Sequence, residues 1–90
     1  MSKVFRTVTI TNRRGLHARA SAKFVTLAST LPVDVAVVKD GSPVTGTSIM
    51  GLMMLGAAMG DHITISAEGD GAQAAVDALA ELVEAKFGEN

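Results

Sequence analysis

"DHITISAEGDGAQAAVDALAELVEAKF", residues 61–87, changes its period part-way along. The first eight residues alternate, with Ile63, Ile65 and Ala67 on one side, the mark of a strand buried on one face. After the Gly69-Asp70-Gly71 break, Ala72, Ala75, Val76, Leu79, Leu82 and Val83 fall on one stripe at helical spacing, which predicts a helix from Ala72 to Phe87. A one-sided strand followed by a one-sided helix asks for helices layered on one face of a sheet whose other face is wet.

The rest of the chain completes that pattern. "VFRTVTIT" (4–11) alternates as well, setting Val4, Val8 and Ile10 against Phe5, Thr7, Thr9 and Thr11. From Ala18 to Thr30 the period is helical: Ser21, Phe24, Val25 and Ala28 share a face, Leu31 extends it, and Pro32 ends it. "PVDVAVVKDGSPVTG" (32–46) reads as a hairpin turning at Asp40-Gly41, and Pro43 places the second strand, around Pro43 to Thr45, at a sheet edge. "TSIMGLMML" (47–55) reads as a short helix capped by Thr47 or Ser48, with Leu52 and Leu55 inward. Met50 and Met53 share a side of it, and spacing alone does not say whether that side faces in or out. The order β-α-β-β-α-β-α predicts an α+β fold: an open-faced β-sandwich of a four-stranded antiparallel sheet with three helices on one face, as a single domain over residues 1–90.

Composition narrows the chemistry. With 48% hydrophobic and 19% charged residues the chain has the make-up of a folded globular protein. At 90 residues the core is too small to enclose an active site, so any chemistry belongs on the surface. There is no cysteine, which excludes disulfides, thiolate nucleophiles and cysteine-bound metals. His17 and His62 lie far apart without ligand-spaced neighbours, so neither a metal nor a cofactor is expected. The start lacks the pattern of a secretory signal, and the longest apolar run, "IMGLMMLGAAMG" (49–60), is short and broken by three glycines. The expected setting is the cytoplasm, without membrane insertion.

Charge is unevenly distributed. Residues 1–33 hold six basic and no acidic groups, whereas residues 34–90 hold two basic and nine acidic ones. Three phenylalanines and no tyrosine or tryptophan leave no stacking platform for nucleic acid, so an acidic protein surface or a single phosphate is the better-matched partner.

"NRRGLHARASAKF" (12–24) concentrates the basic charge around one imidazole. Leu16 is the apolar anchor before the first helix, which leaves His17 at or next to its N-cap, a place where Ser, Thr, Asp or Asn would serve better. A local rule broken in this way marks a candidate site. The helix start offers unpaired N–H groups and the positive end of the dipole to an anion, and Arg14 and Arg19 are near enough in sequence to add charge-assisted bonds to phosphate. A neutral imidazole is nucleophilic, and the phosphoramidate it forms gives its phosphoryl group up readily. The plainer possibility is a polar residue in an exposed turn. His62, in a turn beside a hydrogen-bonding Asp61, reads as a surface residue without chemistry.

"GLHARASAKFV" and "TSIMGLMMLG", with "ISAEG" after them, resemble the HPr/NPr family of histidine-containing phosphocarriers of the phosphoenolpyruvate-dependent phosphotransferase system. The likeness covers nearly the whole chain. It implies that His17 is phosphorylated through Nδ1, that Arg19 binds the phosphate, and that Ser48 is a second position, phosphorylated in some bacteria by an HPr kinase/phosphorylase. It also implies enzyme I as donor and enzyme IIA proteins as acceptors, and a carrier rather than an enzyme, acting as a monomer. Arg14, Ala18, Ala20, Lys23, Ile49, Met50 and Met53 are the candidate docking residues. Many members have proline where this chain has Ala20, which leaves the helix start less rigid. The alternative is a regulatory binding module, in which the state of Ser48 governs docking to a kinase or transcription factor and His17 is incidental.

Overall fold

The computed structural model describes residues 3–89. Its strands are β1 (Lys3–Thr9), β2 (Val35–Lys39), β3 (Ser42–Thr45) and β4 (His62–Glu68); its helices are α1 (Ala18–Ala28), α2 (Ile49–Met54) and α3 (Ala72–Glu84). All strand pairs are antiparallel, in the spatial order β1-β4-β2-β3. The predicted architecture therefore stands, and Pro43 lies on the edge strand β3, where its missing N–H costs no ladder bond.

Alternation along the strands separates the two faces. Val8, Val35, Val37, Ile63, Ile65 and Ala67 are buried in one cluster with Phe24, Leu52, Val76, Leu79 and Val83 of the helices. The opposite face carries exposed Phe5, Thr7, Thr9 and His62. There the Thr7 and Thr64 hydroxyls pair across strands, and Lys3 lies over the Phe5 ring. Alanines make the helix layer thin: Ala20, Ala72, Ala75 and Ala80 are all buried, which lets α1 and α3 approach their neighbours closely.

Four boundaries differ from the sequence reading. β1 stops at Thr9, because Ile10 bonds through its N–H to the Asp61 carbonyl and through its own carbonyl to Gly60, leaving the regular ladder. α1 stops at Ala28, where the Thr30 N–H and hydroxyl both turn back to the Leu27 carbonyl. Leu55 is only partly buried, since it sits in the C-cap position as α2 ends.

The fourth difference matters most for the site. The helix predicted to run to Phe87 ends at Glu84, and a 3-10 turn follows over Lys86–Gly88. Lys86 and Phe87 adopt left-handed backbone, with φ of 59° and 55°. Such a conformation is unfavourable for large side chains, and it is offset here by complete burial of the Phe87 ring. The Lys23 ammonium on α1 donates to the Phe87 carbonyl at 2.7 Å, tying the turn to the first helix. The fold thereby delivers Glu89 to the start of α1.

Candidate functional site at the start of the first helix

His17 is the N-cap of α1, with extended backbone (φ −72°, ψ 178°). Its carbonyl accepts the first helical bond, from the Ser21 N–H at 2.9 Å, but its side chain caps nothing. The N–H groups of Ala18, Arg19 and Ala20 begin the helix without an intrahelical acceptor. The loop ahead is fixed by a close approach: Gly15 has φ +62°, and a Cβ on it would lie 2.2 Å from the Ala57 carbonyl oxygen. Only glycine fits, and the neighbouring Leu16 N–H donates to that same oxygen at 2.9 Å. Leu16 is buried, as the anchoring argument required.

The imidazole is engaged from the far end of the chain. His17 Nε2 bonds to Glu89 Oε2, and the second carboxylate oxygen of Glu89 accepts from Asn12 Nδ2 at 3.0 Å. Asn12 Nδ2 also donates to the Gly15 carbonyl at 2.9 Å. The His17 side chain keeps 14% of its surface exposed, so the ring is partly accessible at the molecular surface. Partial burial pushes the Glu89 carboxyl up, but the hydrogen bonds from Asn12 and His17, with the electrostatic influence of His17 and Lys23, outweigh it and hold the group below the ordinary carboxylate range.

Arg13, Arg14 and Arg19 are exposed around this point. Among the described residues none of the three takes part in an ion pair, whereas Arg6 is paired with Asp77 and Glu84 of α3. The unpaired arginines of the polarised sequence thus flank His17 along the chain. Lys23 remains exposed, yet its ammonium is committed to the Phe87 carbonyl.

The docking candidates divide. Ala18 is exposed, but Ala20 is fully buried and is withdrawn: at this point of the first turn the side chain already faces the core. On α2, Leu52 is buried while Ile49, Met50 and Met53 are 42%, 69% and 41% exposed, which settles the direction of the methionine side. Met54 and Met59, which spacing did not single out, are exposed as well. Ser48, rather than Thr47, caps α2 and accepts from the Gly51 N–H at 2.9 Å. His62 is exposed as predicted, but its partner is the Thr9 hydroxyl; Asp61 instead accepts from the Ala58 N–H.

Asn12 and Glu89 were missed. Glu89 is 72 positions from His17, and no periodicity leads to it. In the sequence nothing sets Asn12 apart from its arginine neighbours. A cleft of about 390 Å³ lies elsewhere, at the sheet between Lys3, Asp34, Ala36, Ser66 and Glu68, and includes none of the site residues. No metal-binding group of His, Asp and Glu occurs among the described residues, and none of the described helices is long and apolar enough to cross a membrane.

Fold and site together define a small open-faced sandwich that presents one imidazole at an uncapped helix start. Residues 4–85 match the family model of the PTS HPr component phosphorylation site. The phosphocarrier protein NPr of Shewanella violacea is 44% identical over 89 residues, covering 99% of this chain and 98% of that protein. Crystal structures of HPr-C-His and of an HPr dimer from Thermoanaerobacter tengcongensis, each 46% identical, superpose with TM-scores of 0.89 and 0.76. The first comparison covers 100% of this chain and 99% of that one, the second 99% and 100%. The chain belongs to the HPr family of phosphocarrier proteins of the phosphotransferase system. It is a carrier, not a catalyst.

Proposed function

We propose that this carrier takes a phosphoryl group on Nδ1 of His17 from the phosphohistidine of enzyme I and hands it to a histidine of an enzyme IIA protein. The observation that carries this reading is the Glu89 bond to Nε2. With the proton on Nε2 and directed at a carboxylate, the lone pair resides on Nδ1. That lone pair attacks phosphorus; the donor's N–P bond breaks and its electron pair returns to the donor imidazole. The His17 ring then bears positive charge, which the Glu89 carboxylate compensates through the Nε2 proton. The phosphoryl oxygens lie toward the unpaired N–H groups of the first helical turn and the guanidinium of Arg19. Onward transfer reverses these steps with the acceptor's nitrogen as nucleophile.

Arg14, Ala18, Lys23, Ile49, Met50 and Met53, with Met54 and Met59 beside them, form the docking face for both partners. Exposed thioethers adapt to unlike surfaces, and the surrounding arginines steer acidic ones. In this reading the carrier acts as a monomer in the cytoplasm. Ser48 adds regulation: a phosphate placed there by an HPr kinase/phosphorylase would stand at the head of the helix that carries Met50 and Met53 and repel acidic partners. Donor-to-His17 kinetics unchanged in Ser48→Asp would remove that part of the reading.

The test of the carrier is incubation with enzyme I and phosphoenolpyruvate, followed by mass spectrometry at neutral and acid pH. One acid-labile phosphoryl group, absent from His17→Ala, is the expected product. Acid-stable modification, or modification that survives His17→Ala, would refute it.

A further inference from the structure

We propose that Asn12 is a positioning residue for His17 that acts through Glu89, its amide pinning the carboxylate that holds the Nε2 proton. The consequence for transfer rests on the carrier reading above; the relay itself does not. Asn12 is 0% exposed, and its Nδ2 donates to two acceptors, the Gly15 carbonyl at 2.9 Å and Glu89 Oε1 at 3.0 Å. Because both neighbours are acceptors, only the NH2 end of the amide can face them, and its orientation is determined. Oδ1 is left buried and, among the described residues, without a partner. An apolar side chain would fill the same space without that cost, so packing does not account for an amide here.

What the amide does is lock a carboxylate at both oxygens. Oε1 of Glu89 is held by Asn12 and Oε2 by His17, so rotation of the carboxylate about its terminal bond breaks one bond or the other. The same amide grips the Gly15 carbonyl, two residues before His17, so that the loop and the incoming carboxylate share one reference point. Among the described residues, the other charged group acting on Glu89 is Lys23 of α1. None of these bonds involves Nδ1 of His17. Asn12 sets instead how firmly Nε2–H is held while Nδ1 gains or loses its bond to phosphorus.

The decisive experiment is a double-mutant cycle on phosphorylation by phosphoramidate, a small donor that needs no docking surface. Asn12→Ala and Glu89→Ala should each slow phosphorylation about fivefold, the worth of one ordinary hydrogen bond. Their combination should be no slower than Glu89→Ala alone, since Asn12 acts only through that carboxylate. In NMR titrations of the unphosphorylated protein, the Glu89 carboxyl should move back up toward the ordinary range in Asn12→Ala. Multiplying rate effects, or a Glu89 titration that Asn12→Ala does not alter, would overturn the proposal. Should Asn12→Ala not fold, the wild-type protein still decides: the Asn12 side-chain amide resonances must follow the Glu89 titration, and amide resonances indifferent to it refute the relay. If the wild-type protein takes no phosphoryl group on His17, the carrier reading fails, and the titrations judge the relay separately.

Discussion

Two helices in this molecule begin differently. α2 begins on Ser48, whose hydroxyl accepts from the Gly51 N–H as a capping residue should. α1 begins on His17, whose side chain caps nothing and turns to Glu89 instead. The capped start spends its side chain on its own helix. The uncapped one keeps its N–H groups available to an anion and places a nucleophilic ring beside them. A feature that reads as a defect in helix stability is, at the other start, what the proposed function uses.

The largest expected effect comes from making the first start resemble the second. His17→Ser supplies a capping hydroxyl and removes the nucleophile, so phosphoryl transfer should fall by at least ~1,000-fold, as for loss of other nucleophiles. Stability should change by under about 1 kcal/mol, the worth of a cap set against a lost hydrogen bond. Thermal melts beside a transfer assay check both halves; a variant that still carries acid-labile phosphate would dissolve the contrast.

Next in size is Gly15→Ala. The added Cβ meets the Ala57 carbonyl oxygen, and the backbone is left-handed, so about 1–3 kcal/mol of stability should be lost. The loss should appear in the denaturation midpoint, together with slower transfer, because this loop presents His17. Ser48→Ala should cost about 1 kcal/mol, with little effect on transfer by the unmodified protein, because that cap serves α2 alone.

The smallest effect is a pH dependence confined to the first start. The Glu89 carboxyl is held below its ordinary range, so its bonds stabilise the fold above that range, and the contribution is lost as pH falls through the lowered value. NMR shifts of His17 and Asn12 should therefore change in acid, below the ordinary carboxylate range, while those around Ser48 stay constant. Equal response at both helix starts would mean that Glu89 is not the group responsible.

The sheet and helices were legible because they depend on periodicity. Alternation at Ile63, Ile65 and Ala67 and the stripe from Ala72 to Val83 report burial directly, and both were found where expected. The end of α3 was not legible, since Ala85, Lys86 and Phe87 continue a helical pattern and only tertiary burial of the Phe87 ring drives the chain into left-handed backbone. That one turn also decides the site. His17 was identifiable as a poor capping residue ringed by arginines, but Glu89 reaches it only through the turn, and Asn12 gains its role only once Glu89 arrives. Met50 and Met53 were found in sequence, and their outward direction came from the placement of Leu52 in the core.

The most direct test is to ask which nitrogen of His17 holds the phosphoryl group. The protein, labelled with 15N at both ring positions, would be phosphorylated by enzyme I and phosphoenolpyruvate and examined by 15N and 31P NMR. With Glu89 holding Nε2, phosphorus must couple to Nδ1. Coupling to Nε2 instead would mean that the carboxylate yields that position, and the account of the site would be wrong.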